Sequence, residues 1–256
     1  MLKVIIHGYF GQMGQVISNL IINEEDIKLV AGIDKKTKSY KYDLNIYKCI
    51  FDFEGESDVI IDFSSPSALD KLLKYAITNN IALVIGTTGY EEKEIKKLKE
   101  AAEKIPVFYS ANMSLGINLL LSLVSKTATI LGKDFDIEII EKHHNKKVDA
   151  PSGTAYMIAN KINEEFENNL VYTFGRNTKT NKRSPKEIGI HAIRGGTIVG
   201  EHSVIFAGLD EIIEIKHSAM SKNVFGKGAL QAARFIATQD NGLYNMNDLI
   251  NKSKNI

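Results

Sequence analysis

Leu2-Lys3-Val4-Ile5-Ile6-His7-Gly8-Tyr9-Phe10-Gly11-Gln12-Met13-Gly14 is the stretch on which the fold turns. Leu2 to Ile6 is a short, almost continuous apolar run, the pattern of a strand buried on both faces. The run stops at Gly8. After Gly14 an apolar stripe follows at helical spacing, through Val16, Ile17, Leu20 and Ile21. Strand, glycine loop and helix in that order are the context in which glycine spacing points to a dinucleotide. Gly8 allows the tight turn, Gly11 lets the backbone approach a pyrophosphate, and Gly14 lets the helix pack close to the strand. Tyr9, Phe10, Gln12 and Met13 fill the loop and join Gly8 and Gly11 as cofactor-binding candidates. The spacing is Gly-x-x-Gly-x-x-Gly, not the commoner Gly-x-Gly-x-x-Gly, so a purely structural turn is the competing reading.

The next strand, Lys28 to Ile33, ends in Asp34, about twenty residues beyond Gly14. A carboxylate there suits the adenosine ribose hydroxyls of NADH and would repel a 2′-phosphate. Lys35 and Lys36 follow at once, and a cation there could pair with the 2′-phosphate of NADPH. Both cofactors stay open. Most lysines between Lys35 and Lys48 read as a solvated basic loop.

Strands and helices then alternate. Ser57–Phe63 reads as a strand, and Ser65 and Pro66 open a helix through Leu69, Leu72, Leu73 and Ala76. Ile81–Ile85 is a strand ending in Gly86-Thr87-Thr88-Gly89. Glu91–Lys104 is a charged helix, and Pro106–Tyr109 a strand ending in Ser110-Ala111-Asn112-Met113. Alternation of this kind predicts an α/β fold, a Rossmann-type doubly wound parallel sheet with ligands at the carboxyl ends of its strands. The pattern changes after Gly116, where a long helix, Leu115–Leu131, leads to the next strand. Glu187–Ala207 and Asp210–His217 read as longer strands, predicting a second α+β domain with a mixed or antiparallel sheet. Asn177–Arg183 reads as a polar, mobile loop. From Lys222 the chain returns to a helix, Phe225–Ala237.

Composition narrows the function. Lys+Arg is 32 and Asp+Glu 31 over 256 residues, which argues against nucleic-acid or membrane-surface partners. No apolar run reads as long enough to span a bilayer, and the start does not read as a signal peptide, so a cytoplasmic protein is expected. The only cysteine, Cys49, sits in no metal-ligand spacing and reads as a bystander, so no metal is expected.

A second stretch carries the chemistry: Glu141-Lys142-His143-His144-Asn145-Lys146-Lys147-Val148-Asp149-Ala150-Pro151-Ser152-Gly153-Thr154-Ala155. It runs from a strand, Phe135–Ile140, through a polar loop into a helix at Ala155–Phe166. Two imidazoles and three ammonium groups stand beside Pro-Ser-Gly-Thr, where the free N–H groups of a helix start favour an anion. A solvated loop and an ordinary helix cap are the bland alternative.

The order His-His-x-x-Lys-x-Asp-Ala-Pro-Ser-Gly-Thr-Ala, unbroken from His143 to Ala155, strongly resembles the signature of the 4-hydroxy-tetrahydrodipicolinate reductase (dihydrodipicolinate reductase) family of lysine and diaminopimelate biosynthesis. Gly8–Gly14, Gly86–Gly89, Ser110–Asn118 and Ile188–His202 resemble it too. Gln12 stands where the family usually has Arg, and Met113 where Phe is common. The resemblance implies NADH- or NADPH-dependent reduction of 4-hydroxy-tetrahydrodipicolinate to tetrahydrodipicolinate with loss of water. Lys147 matches the family's proton donor and His143 its donor/acceptor. His144, Gly153 and Thr154 match the binders of the substrate's carboxylates. Gly86, Thr87, Thr88, Ser110, Ala111, Asn112 and Met113 join the glycine loop, Asp34 and Lys35 around the cofactor, with Gly86–Gly89 beside the nicotinamide ribose. Asp149 is expected to orient or cap. Arg194 could steady a carboxylate or make a structural pair. The implied layout is a discontinuous dinucleotide-binding domain, 1–114 and 220–256, around a substrate-binding and oligomerisation domain, 115–219. A homotetramer built through the second domain's sheet is expected. Two other classes are weighed against this: a reductase of aspartate-semialdehyde or homoserine type, and a non-catalytic nucleotide sensor. The intact signature, with both His143 and Lys147, speaks against each.

Overall fold

The computed structural model describes residues 1–36, 44–177 and 179–252. Parts of the expected basic stretch 35–48 and polar loop 177–183, and the end of the segment 220–256, lie outside the described residues. The chain divides into two compact units, Met1–Leu115 with Lys222–Ile256, and Gly116–Ser221.

In chain order the elements are β1 (Leu2–His7), α1 (Gln12–Ile21), β2 (Ile27–Ile33), β3 (Ile46–Tyr47), β4 (Val59–Asp62), α2 (Leu69–Asn79), β5 (Ala82–Ile85), α3 (Glu92–Ala102) and β6 (Pro106–Tyr109). The second unit holds α4 (Leu115–Leu131), β7 (Asp136–His143), α5 (Gly153–Glu164), β8 (Val171–Phe174), β9 (Glu187–Arg194), β10 (Gly200–Ala207) and β11 (Ile212–Ala219). The chain returns through α6 (Asn223–Ile236), β12 (Gly242–Tyr244) and α7 (Met246–Lys252).

The first sheet has the order β12-β6-β5-β4-β1-β2-β3, and every pairing in it is parallel. Its central strands are apolar throughout because both faces are covered. Val4, Ile6, Val59, Ile61 and Val84 pack into one core that includes Ile17 of α1 and Leu230 of α6. Their neighbours Ile5, Ile60, Leu83 and Ile85 point the other way, into a core with Leu72 of α2 and Leu98 of α3. The order of strands reverses across β1 and β4, so the carboxyl ends of these two strands flank a switch point of the doubly wound kind.

The second sheet, β11-β10-β7-β9-β8, is mixed: β7–β9 and β8–β9 are parallel, β7–β10 and β10–β11 antiparallel. One face is covered. Ile137, Ile139, Ile188, Ile190, Val204 and Phe206 form one core with Leu120 and Val124 of α4 and Ile158 of α5. By strand alternation Ile140, Ile193, Ile205 and Ile212 lie on the opposite face.

Four expectations need correction. β3, β8 and β12 are short strands at or near sheet edges, too brief for their alternation to stand out, and α7 follows the last of them. β7 runs on to His143, so that histidine belongs to a strand and not to the loop. α5 starts at Gly153, two residues nearer the loop's Pro151 than the apolar pattern suggests. The expected absence of a bilayer-length run is also overturned, since Leu115–Asp134 is a helical stretch of 20 residues with mean hydropathy 1.5. Its Leu120, Val124 and Ala128 lie buried in the core of the second unit.

Candidate active site

In the second unit the site grows from strand alternation. Glu141 and His143 are two residues apart on β7, so their side chains share the helix-covered face. Lys142, between them, turns to the other face, where its Nζ lies 3.5 Å from Glu201. One of the three expected ammonium groups is therefore lost to the cluster.

Glu141 is fully buried, and its carboxylate accepts four hydrogen bonds. They come from His143 Nδ1 at 2.6 Å, Arg194 Nη1 at 2.8 Å, Arg194 Nη2 at 2.7 Å and the Ser152 N–H at 3.0 Å. Burial alone would raise its pKa, but these donors hold it below the ordinary glutamate value. Burial lowers the His143 pKa against the opposing pull of Glu141, and Lys147 and Arg194 add to the lowering.

The loop beyond β7 is tied down at several points. The Gly195 N–H donates to His143 O, the Asn145 N–H to Gly196 O, and the Lys147 N–H to His144 O. Arg194 Nη2 also donates to Asp149 O at 2.7 Å. Lys147 Nζ reaches Asp149 Oδ1 at 2.7 Å. That ammonium, with the Gly153 N–H, holds the Asp149 carboxyl below its ordinary pKa. Ser152 caps α5, its Oγ accepting from the Ala155 N–H at 3.2 Å, and contacts His202 Nε2 at 3.1 Å. His202 is buried with its ring edge against His143, centroids 5.2 Å apart, and burial pulls its pKa down to about 4. His143, His144, Lys147, Gly153 and Thr154 thus all fall within one strand end, one loop and one helix start. Sequence reasoning missed Glu141, His202 and Gly200, and left Arg194 and the capping Ser or Thr of Pro-Ser-Gly-Thr open. The two-residue spacing of Glu141 and His143 was the available signal.

In the first unit Gly8 has φ +85°, and a Cβ there would lie 2.4 Å from Phe63 O. A Cβ on Gly14 would lie 2.4 Å from Gly8 O, so α1 could not sit this close to the turn. Gly11 is the N-cap of α1 and carries no side-chain cap, leaving the first-turn N–H groups open to an anion. Asp34 follows β2, with Oδ2 accepting from the Phe10 N–H at 2.9 Å and Oδ1 from the Lys36 N–H at 2.9 Å. A cavity of about 570 Å³ lies here, lined among others by Gly8, Gly11, Asp34, Lys35, Ser64 and Lys71. Its size and mixed lining, a glycine cradle with one carboxylate and several ammonium groups, fit part of a dinucleotide. Gln12 Oε1 accepts from Lys222 Nζ at 2.5 Å, so a cation stands beside this loop position.

The other loops meet at the same strand ends. Thr87 Oγ1 donates to the buried Asp62 at 2.6 Å and accepts from the Ser64 N–H, while His7 Nδ1 lies 2.7 Å from Asp62. Gly86 packs on the Phe63 ring, with no room for a Cβ, and Thr88 is exposed. Ser110 Oγ donates to Asn112 O at 2.8 Å, and Asn112 Oδ1 accepts from the Ser114 N–H; Ala111 is exposed. The side chains of Tyr9 and Met113 are buried in the core, at 0% and 2% exposure, so it is their backbones that these loops offer to a ligand.

Known proteins fix the class first: this is an oxidoreductase with a Rossmann-type domain. The sequence profile for "Dihydrodipicolinate reductase, N-terminus" matches residues 2–113, and that for the C-terminus matches residues 116–250. A 4-hydroxy-tetrahydrodipicolinate reductase of Caldanaerobacter subterraneus subsp. tengcongensis is 53% identical over 98% of this chain and 99% of its own. That of Clostridium novyi is 51% identical over 100% of both chains. The structure of a dipicolinate-bound dihydrodipicolinate reductase from Paenisporosarcina sp. TG-14 superposes with TM-score 0.78 at 25% identity, covering 96% of this chain and 97% of that one. A diaminopimelate dehydrogenase of C. glutamicum, at 12% identity and TM-score 0.59 over 96% of this chain and 92% of its own, shares the fold. The chain belongs to the 4-hydroxy-tetrahydrodipicolinate (dihydrodipicolinate) reductase family, enzymes of lysine and diaminopimelate biosynthesis.

Proposed function

We propose that this reductase converts 4-hydroxy-tetrahydrodipicolinate to tetrahydrodipicolinate using NADH or NADPH held by its first unit, with His143 and Lys147 of the second unit handling the proton. Residues 1–114 with 220–256, which all but coincide with the first unit, are read as the dinucleotide-binding domain, and 115–219 as the substrate-binding and oligomerisation domain. The reduced nicotinamide supplies a hydride to the substrate ring, one proton is taken up, and water leaves.

The observation that carries the reading is the convergence of a Glu141-bound imidazole, the Lys147 ammonium and the start of α5 within one strand end and loop. Lys147 is the donor in this account, because an ammonium can deliver a proton at a point where negative charge develops. His143 accepts or returns a proton as donor/acceptor. Asp149 lies against both Lys147 Nζ and the Gly153 N–H. A substrate carboxylate offers the same chemistry and would take its place, with Thr154 and His144 beside it.

In the first unit the pyrophosphate would lie on Gly8–Met13 at the α1 start, and Asp34 would take the ribose hydroxyls. Lys35 would favour a 2′-phosphate, which leaves NADH and NADPH both usable. Gly86, Thr87, Thr88 and the Ser110–Met113 turn would border the nicotinamide end. The partly apolar free face of the second sheet, with Ile140, Ile193, Ile205 and Ile212, supports a homotetramer built there. The expected place of action is the cytoplasm.

Replacing Lys147 with Ala tests the assignment. Turnover is expected to fall by roughly 10²-fold or more, the range for a lost general acid, with cofactor affinity unchanged. Turnover at the wild-type level would remove Lys147 from the donor role.

A further inference from the structure

We propose that Glu141 is a positioning residue: its buried carboxylate fixes the proton of His143 on Nδ1 and so makes Nε2 the atom that exchanges a proton with the reaction. The proposal rests on the reading of His143 as donor/acceptor.

An ionised carboxylate can only accept hydrogen bonds. Glu141 is kept ionised by the two Arg194 contacts at 2.7 and 2.8 Å and by the Ser152 N–H at 3.0 Å. The 2.6 Å contact to His143 Nδ1 therefore has the ring nitrogen as donor, and Nδ1 carries a hydrogen in both charge states of the ring. Only Nε2 can then gain or lose a proton. It faces Gly200, where a Cβ would lie 3.1 Å from it, so the missing side chain leaves that nitrogen room.

The same carboxylate reaches the rest of the site. Through the Ser152 N–H it fixes the residue that caps α5, and through Arg194 it is linked to Asp149 O on the loop that carries Lys147. The charged and titratable groups around the ring are Glu141 on its own strand, Arg194 on β9, His202 on β10 and Lys147 on the loop. Of these, Glu141 is the one that favours the protonated ring, whereas Lys147 and Arg194 oppose it. A Glu141 that served only to hold Ser152 and Arg194 in place would leave the tautomer of His143 unchanged when replaced by an isostere.

The test compares wild type, Glu141→Gln and Glu141→Asp, the last keeping the charge should the amide variant fold poorly. Nitrogen-15 spectra of labelled histidine report which ring nitrogen of His143 is protonated and its titration midpoint. The wild type is expected to show the Nδ1–H form. Glu141→Gln is expected to show both tautomers, a midpoint moved to lower pH, and kcat lowered about tenfold or more with little change in KM. The limb of the kcat–pH profile governed by His143 should move to lower pH with it. Glu141→Asp should keep the Nδ1–H form and recover part of the lost kcat. An unchanged tautomer and midpoint in Glu141→Gln would overturn the proposal, whatever its activity. His143→Gln, assayed alongside, tests the reading beneath: full turnover there would remove His143 from the reaction while the nitrogen-15 result still decides what Glu141 does to the ring.

Discussion

Single side chains show two histidines of different standing in this enzyme, His143 half-buried and His202 buried. His143 has a carboxylate partner. His202, at 4% exposure, has a serine hydroxyl on Nε2 and its Nδ1 buried without a hydrogen-bond partner among the described residues. Burial holds His202 neutral down to about pH 4, while in the unfolded chain it would protonate near the ordinary imidazole value of about 6.5. Between those values the unfolded state binds the extra proton, so stability falls as pH drops from about 6.5 to about 4. The loss attributable to this one ring is on the order of 3 kcal/mol. Urea unfolding at pH 7 and pH 4.5 checks it: His202→Gln should lose less stability between the two than the wild type does. Equal losses would show that other groups carry the acid sensitivity. That His143 and Lys147 stand beside a helix start, and Asp34 at the end of a strand, was legible in the sequence; the roles proposed for them follow from the family resemblance. His202 was not legible, since a histidine between Glu201 and Ser203 on a strand gives no sign of which face it takes or what covers it.

Helix starts and strand ends carry both proposed sites, and here local sequence rules succeeded and failed for identifiable reasons. The glycine loop was readable because a Cβ at Gly8 or Gly14 would collide with backbone, a constraint that leaves a mark on the sequence. The short edge strands β3 and β12 leave none; pairing with a neighbour already in place defines them. The apolar stripe of α5 begins only at Ala155, whereas the helix itself is set two residues earlier by the Ser152 cap within Pro-Ser-Gly-Thr. Ser152→Ala should lower stability by about 1 kcal/mol for the lost cap. Because Ser152 also contacts His202, it should raise KM for the substrate as the helix start loosens. Denaturant midpoints and steady-state kinetics check both, and an unchanged KM would detach the cap from the substrate site.

For the whole molecule, the change from βα alternation to long strands after Leu131 was enough to foresee a second sheet of mixed type, because helical and strand periodicities differ so plainly. Which face of that sheet is covered could not be read beforehand. Ile139 and Ile140 are adjacent and equally apolar, and only α4 and α5 determine which is buried. The uncovered face leads to the assembly prediction. Ile212 is 69% exposed, so Ile212→Arg should leave the fold intact yet convert a tetramer to smaller species in light scattering. An unchanged mass would move the interface elsewhere. The account as a whole is tested most directly by adding freshly generated 4-hydroxy-tetrahydrodipicolinate to the purified protein with NADH and, separately, NADPH, and following cofactor oxidation. Rapid oxidation of at least one is the predicted result, and the ratio between them reports how Asp34 and Lys35 share the ribose. Cofactor that binds but is not oxidised in either case would contradict the account.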